Sequence, residues 1–275
     1  SDIRLGDGAL ITAAGSGDAI GLASAGDFVN DSGTSTPFTL SGSGRWLVYS
    51  GNPTDNDLGG LSGDFNRYSC DYMLGCATGV SILTSGNGFI YRYTPMLTIT
   101  GLGIADKAYD GTTDATLSGA GTLSGLLTGD TATLDSNGVT AAFADKNAGT
   151  GKTVNLSGSF TTSATARGYG LTQPAGTYTA DITPLALTIT ANDQVQDYGA
   201  ENTLTQGYGI SSGSLVTGES ITGGLSLSTD ATTSGSGNWN HRAMPWTITA
   251  AGTPTGAGGF LASNYDISYG IGTLT

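Results

Sequence analysis

Leu97-Thr98-Ile99-Thr100 recurs as Leu187-Thr188-Ile189-Thr190, 90 residues further along the chain. Internal repetition constrains a fold strongly, because each copy must find the same packing solution. Tyr109, in Lys107-Ala-Tyr-Asp-Gly111, aligns with Tyr198, in Asp197-Tyr-Gly199, at an offset of 89, and Leu127-Thr-Gly-Asp130 aligns with Val216-Thr-Gly-Glu219 at the same offset. Tyr169-Gly-Leu171 matches Tyr265-Asp-Ile267 more loosely, at 96. Four matches in one order predict two related modules. Pro95 and Pro184 each precede the repeated strand and mark the joints. The expected segments are therefore 1–94, 95–184 and 185–275.

Within the modules the local signal is strand. Leu97-Thr-Ile-Thr100 and Ala180-Asp-Ile-Thr183 alternate apolar and polar residues, as half-buried strands do. Gly and Asp clusters break the strands at short intervals. The 46 glycines follow no collagen period, and 37% hydrophobic residues recur in short alternating runs, so the composition reads as folded β structure with tight turns. Short helical turns are expected at 163–167 and 259–263, just before Tyr169 and Tyr265. A tyrosine so placed can bond its hydroxyl back to the backbone and lock a corner; the plainer alternative is a core-facing ring. Residues 1–94 read differently. Leu10–Gly15, Gly21–Gly26 and Asp27–Gly33 resemble short strands ending in small residues, which suits stacked rungs of a parallel β-helix. Gly44–Ser50 is a strong strand, a polar loop is expected over 51–79, and Gly86–Tyr93 closes the region. The fold class expected is mainly β: terminal parallel β-helix rungs followed by two small β modules, immunoglobulin-like sandwiches or β-grasp-like sheets.

The net charge is −13, with only three lysines. Such a chain cannot neutralise phosphates and suits neither nucleic acid nor anionic membrane surfaces. No apolar run approaches the roughly 18 residues that span a bilayer. The chain opens at Ser1 without a signal-peptide pattern, and is read as a mature or excised fragment.

Segment 21–93, through Gly26–Asn30, Gly44–Ser50, the loop holding Cys70 and Cys76, and Gly86–Phe89, resembles the end of the β-helix in filamentous-haemagglutinin-type exoproteins of two-partner secretion. Residues 97–184 resemble the YDG module of those proteins through Lys107–Thr112, Leu127–Asp130, Phe143–Asn147, Gly149–Val154 and Ala180–Pro184. Residues 187–275 resemble the neighbouring MBG module through Asp197–Gly199, Gly213–Gly218, Asn264-Tyr265 and Gly272–Thr275. Two departures stand out: Gly168-Tyr169 where the YDG pattern has Asn-Tyr, and Asn238–Trp246 in the third segment. The resemblance implies a secreted, cell-surface adhesin, exported with an outer-membrane partner and acting in attachment, aggregation or biofilm formation. In an exported chain Cys70 and Cys76 are expected to form a disulfide. Free thiols and metal ligation are the alternatives, and zinc would need two more ligands where His241 is the only histidine.

Other constellations fare less well. Gly209-Ile-Ser211-Ser-Gly213, with Asp230 and His241 following, fits a hydrolase spacing, but no helical pattern follows the serine. Gly149-Thr-Gly-Lys152-Thr153 resembles a phosphate loop, yet Lys146 stands where glycine is needed and a strand follows. No enzyme activity and no cofactor is expected. Asp55 and Asp57 are a weak calcium candidate, lacking the distal glutamate of an EF-hand. Thr12–Gly15 and Thr249–Gly252 resemble adhesin-releasing cleavage sites but fall in expected strands. Trp239, His241, Arg242 and Trp246 form the most distinctive cluster. Indole faces stack on sugars and Arg bonds hydroxyls, so the third segment is an alternative carbohydrate-binding module for host glycan or biofilm polysaccharide. In the plainer reading Trp246 packs in the core and Trp239 lies on an exposed turn.

Overall fold

A computed structural model describes residues 1–240 and 245–275. Among these the chain is mainly β, with two short 3-10 turns, and no helix is long and apolar enough to cross a membrane. It groups into two compact units: 1–103 with 119–139 and 157–176, and 104–118 with 140–156 and 177–275. The stretch 95–184 therefore contributes strands to both.

In the first unit the N-terminal strands pair in parallel. Ile3–Leu5 lies beside Phe28–Asn30, Ile11–Ala14 beside Phe38–Ser41, and Gly17–Ala23 beside Gly44–Ser50. Ile3 faces Phe28, Ile11 faces Phe38 and Gly17 faces Gly44, so the chain returns to one lateral position every 25 to 27 residues. A third level is present inside the expected polar loop. The Asp57 amide donates to the Phe28 carbonyl at 3.0 Å, and its carbonyl accepts from the Asn30 amide at 2.8 Å. The loop also departs from expectation in holding a strand, Phe65–Arg67, which pairs in parallel with Gly88–Tyr91; the latter pairs with Gly44–Ser50 on its other side. Gly88–Tyr91, flanked by a parallel strand on each side, is buried at every residue, and the interior it faces is aromatic. Trp46 and Phe89 meet at 5.1 Å between ring centroids, and Tyr68 stacks on Tyr91 at 5.6 Å. The buried Asn30 is fully engaged: its Nδ2 donates to the Thr34 and Leu58 carbonyls, and its Oδ1 accepts from Ser32. That satisfies the rule that buried polar groups need partners.

The repeat of Leu97–Thr100 and Leu187–Thr190 is a repeat of topology. Met96–Thr100 runs antiparallel to Thr122–Ser124 and parallel to Gly170–Thr172 in the first unit. Leu185–Ala191 runs antiparallel to Tyr208–Ser212 and parallel to Tyr265–Leu274 in the second. The copies differ in the last strand. Tyr265–Leu274 is continuous and also pairs with Trp246–Ala257, whereas its counterpart is split into Gly170–Thr172 and Tyr178–Thr183. Residues 173–177 between them hold Pro174, which has no amide to donate to a ladder. The first half serves the first unit's sheet, and the second half pairs with Gly149–Gly158 in the second unit.

Ser163–Arg167 forms the expected 3-10 turn. The second turn lies later than expected, at Ala262–Asn264, because Gly258 and Gly259, at φ 73° and 96°, instead turn the chain after Trp246–Ala257. The second unit's main core gathers Tyr109, Phe143, Val154, Ile182, Leu187 and Tyr265.

Candidate functional site

Three features carry chemistry, and each is built within one unit. The first is the pair of tyrosine corners. In the first unit the Tyr169 hydroxyl accepts from the Leu127 amide at 3.1 Å and donates to the Asp130 carboxylate at 2.7 Å. Tyr68 donates to the same carboxylate oxygen at 2.7 Å, and Arg167 holds the other at 2.9 Å. In the second unit the Tyr265 hydroxyl accepts from the Val216 amide at 2.9 Å and donates to Glu219 at 2.6 Å, while Tyr109 donates to the other oxygen of Glu219. The corner role expected for Tyr169 and Tyr265 is thus present. The carboxylate latch was legible only as the acidic residue ending the repeated turns Leu127–Asp130 and Val216–Glu219.

Each latch takes its second tyrosine from an earlier sequence segment. Tyr68 reaches Asp130, and Tyr109 reaches Glu219 rather than the carboxylate of its own segment. The Tyr-Asp-Gly motif is built for this. Asp110 accepts from the Thr112 amide at 2.9 Å and closes the turn, and Gly111, at φ 78°, leaves room where a Cβ would lie 2.6 Å from Val216. The departure at Gly168 has a local cause. A Cβ there would stand 1.9 Å from the Tyr68 carbonyl, so asparagine does not fit. The equivalent Asn264 is fully buried and accepts from the Ala148 amide at 2.9 Å.

Burial, reinforced by hydrogen bonding to a carboxylate, pushes Tyr109, Tyr169 and Tyr265 up to about 12. Tyr68 is raised by burial and by Asp130. A phenol ordinarily titrates near 10, so these groups stabilise the fold fully below about pH 10, and that contribution is lost as pH rises through about 12. Thermal melts from pH 8 to 12 should be flat at first and then fall steeply, with tyrosinate absorbance rising alongside. An unchanged melting temperature at pH 12 contradicts the latches.

The second feature is a stapled hairpin. Cys70 and Cys76 form a disulfide, and Cys70–Asp71 pairs antiparallel with Gly75–Cys76. Asp71 caps the turn by accepting from the Met73 and Leu74 amides at 2.8 and 3.2 Å. Closing so short a loop is worth about 2 kcal/mol through the unfolded chain. Reduction, or the double change Cys70→Ser and Cys76→Ser, is expected to lower stability by about that amount in denaturant titrations. Two free thiols with an unchanged midpoint would refute it.

The third feature surrounds Trp239. Asn202 ties two loops, its Oδ1 accepting from the Trp239 amide at 3.1 Å and its Nδ2 donating to the Gly237 carbonyl at 2.7 Å. Trp246 Nε1 donates to the Asn240 carbonyl at 2.9 Å, and both indoles pack against the minor core of Ala191, Ile248, Ala250 and Leu274. Trp239 is half-buried and lines an open cleft of about 580 Å³ with Tyr208, Asn202, Thr205, Leu227 and Ser228. No charged side chain lines it among the described residues. His241 and Arg242 lie outside the described residues.

Ser211 sits within Tyr208–Ser212, its hydroxyl hydrogen-bonded to Thr190 at 2.6 Å, a strand setting rather than an elbow. Lys152 lies in Gly149–Gly158, paired with Asp145 at 2.6 Å. Among the described residues no three His, Cys, Asp or Glu side chains converge to hold a metal, and Asp57 serves its own turn by accepting from the Gly59 amide. Thr12–Ala14 and Thr249–Gly252 lie in strands.

No characterised protein and no solved structure matches the chain. Residues 94–178 match the YDG domain family.

Proposed function

We propose that the chain is a non-enzymatic segment of a secreted bacterial surface adhesin of the filamentous-haemagglutinin type. Residues 1–94 are the last rungs of its β-helix. The YDG module and the MBG-like module 185–275 act as stalk and presentation elements in attachment, aggregation or biofilm formation. The observation that carries this reading is the parallel strand pairing at intervals of 25 to 27 residues immediately ahead of a YDG domain. A repeating coil extends a polypeptide at low cost in sequence complexity, which suits a projecting molecule. Export through an outer-membrane partner agrees with the disulfide. Antibodies raised against the chain should label intact cells that produce it and reduce their attachment or clumping. Labelling that needs permeabilised cells would overturn the reading.

The cleft beside Trp239 favours a second reading, carbohydrate binding by the third segment. An indole wall, a neighbouring tyrosine and amide and hydroxyl groups suit the apolar face and hydroxyls of a neutral sugar. In a screen of the whole chain against polysaccharides, Trp239→Ala should weaken binding by at least about tenfold, or 1.4 kcal/mol. Equal binding by the variant sinks this reading.

A further inference from the structure

The chain carries 22 acidic residues against 9 basic ones, so an arginine without a carboxylate partner stands out. Arg4, Arg45, Arg92 and Arg167 each pair with an aspartate, and among the described residues Arg67 is the one arginine that pairs with none. Arg67 is nevertheless held in place. Its Nε donates to the Ser81 carbonyl and its Nη1 to the Asn66 carbonyl, both at 2.8 Å, and its guanidinium carbon lies 5.4 Å from the centroid of the Phe65 ring. Arg67 lines a cavity of about 360 Å³ that belongs wholly to the first unit, and Arg167 lines it too. Arg167 donates to Asp130 through Nη1. Among the described residues no protein acceptor takes a hydrogen bond from the Nη2 of either arginine. Burial, and after it the charge of Arg167, lowers the Arg67 pKa, as expected of two cations brought to one concavity.

We infer that this cavity binds an acidic sugar, a hexuronate residue, with the carboxylate on Arg67 and Arg167 and the hydroxyls on Asp64, Asn66 and Thr128. A guanidinium presents its donors in a plane that matches a carboxylate. A singly charged group fits better than a phosphate, because Asp64 and Asp130 line the same cavity and repel a second negative charge. Asp64 accepts from the Asn87 amide at 2.7 Å through Oδ2, and its other oxygen suits a sugar hydroxyl. Large apolar side chains in the lining are limited to Phe65 and Leu83, so a hydroxyl-rich ligand is matched better than an apolar one. The volume lies at the low end of ligand sites, about 300–1,000 Å³, and suits a single sugar ring. The cavity shares no residue with the Trp239 cleft, and the inference stands on Arg67 and Arg167, independent of both readings above.

The test is calorimetric titration of the whole chain with short oligomers of galacturonate and of mannuronate, and with their uncharged methyl esters. At least one acid should bind, and at least about tenfold more tightly than its ester. Arg67→Gln should weaken that binding by at least about tenfold, and Arg67→Lys, which keeps the charge and loses the fork, by less. The melting temperature of each variant reports its fold, and Arg67→Lys carries the test if Arg67→Gln fails to fold. Trp239→Ala should bind as the parent does. Equal binding of acid and ester, undiminished binding by the folded Arg67 variants, or no binding of either acid at millimolar concentration overturns the proposal. So does a loss of binding on Trp239→Ala, which moves the sugar to the other cleft. Displacement of the bound acid by an equal concentration of inorganic phosphate also overturns it, because the cavity would then recognise any oxyanion rather than a sugar.

Discussion

Replacing Asp130 by alanine is expected to destabilise the first unit by about 3–5 kcal/mol, among the largest single effects available in this chain. The Asp130 side chain is 8% exposed and accepts from Tyr68, Tyr169 and Arg167. Removing it leaves two phenols and a guanidinium without their acceptor, and the cost of unpaired buried groups exceeds the net worth of the bonds themselves. Asp130→Asn keeps the shape and one acceptor oxygen, so it should lose less than half as much. Glu219→Ala is the counterpart in the second unit. Chemical denaturation of the three variants gives the comparison, and an alanine variant within experimental error of the parent would show that the latch contributes nothing.

Gly168→Ala should cost about 3 kcal/mol or more, a large penalty for one methyl group. Gly168 adopts φ 98°, and its added Cβ would meet the Tyr68 carbonyl oxygen at 1.9 Å, so a backbone segment has to move. Conformational strain alone accounts for roughly 1 kcal/mol of that. Gly8→Ala separates the two contributions. Gly8 has φ 72° with nothing within 4 Å of its Cβ position, so only the strain should appear. Movement at position 168 also displaces Tyr68, since the Arg167 carbonyl accepts the Tyr68 amide at 2.8 Å and the Gly168 carbonyl accepts the Ser69 hydroxyl at 2.7 Å. Equal melting temperatures for the two variants would contradict the close approach.

Local features of the fold were legible in the chain. Gly44–Ser50 is a strand over the expected residues, Ser163–Arg167 is a 3-10 turn, and the repeated Leu-Thr-Ile-Thr strand holds the same place in both sheets. These follow from alternation, caps and glycine placement, which act over a few residues. What was hidden depends on distant partners. The third level at Asp57 has no apolar alternation to announce it, because it is held by backbone bonds and by the amide side chains of Asn30 and Asn56. Tyr68 lies outside the repeat and meets Asp130 across 62 residues. Nor does local pattern reveal that the YDG stretch serves two units. That follows from the interruption at 173–177, whose Pro174 reads in sequence as an ordinary turn. At the candidate cleft, Trp239 stood out by composition, whereas Tyr208, at the start of a strand, and Asn202, in the loop before it, join it through packing between distant parts of the chain.

The YDG stretch is shared between two compact units, each closed by a tyrosine–carboxylate latch. Hydrogen exchange of the whole chain, resolved by peptide, tests it most directly. With Asp130→Ala, faster exchange should appear together in 65–70, 119–139 and 157–176, while 104–118 and 140–156 keep the protection of 177–275. If instead residues 94–178 lose protection as one block, the stretch is a single cooperative module and the account is wrong.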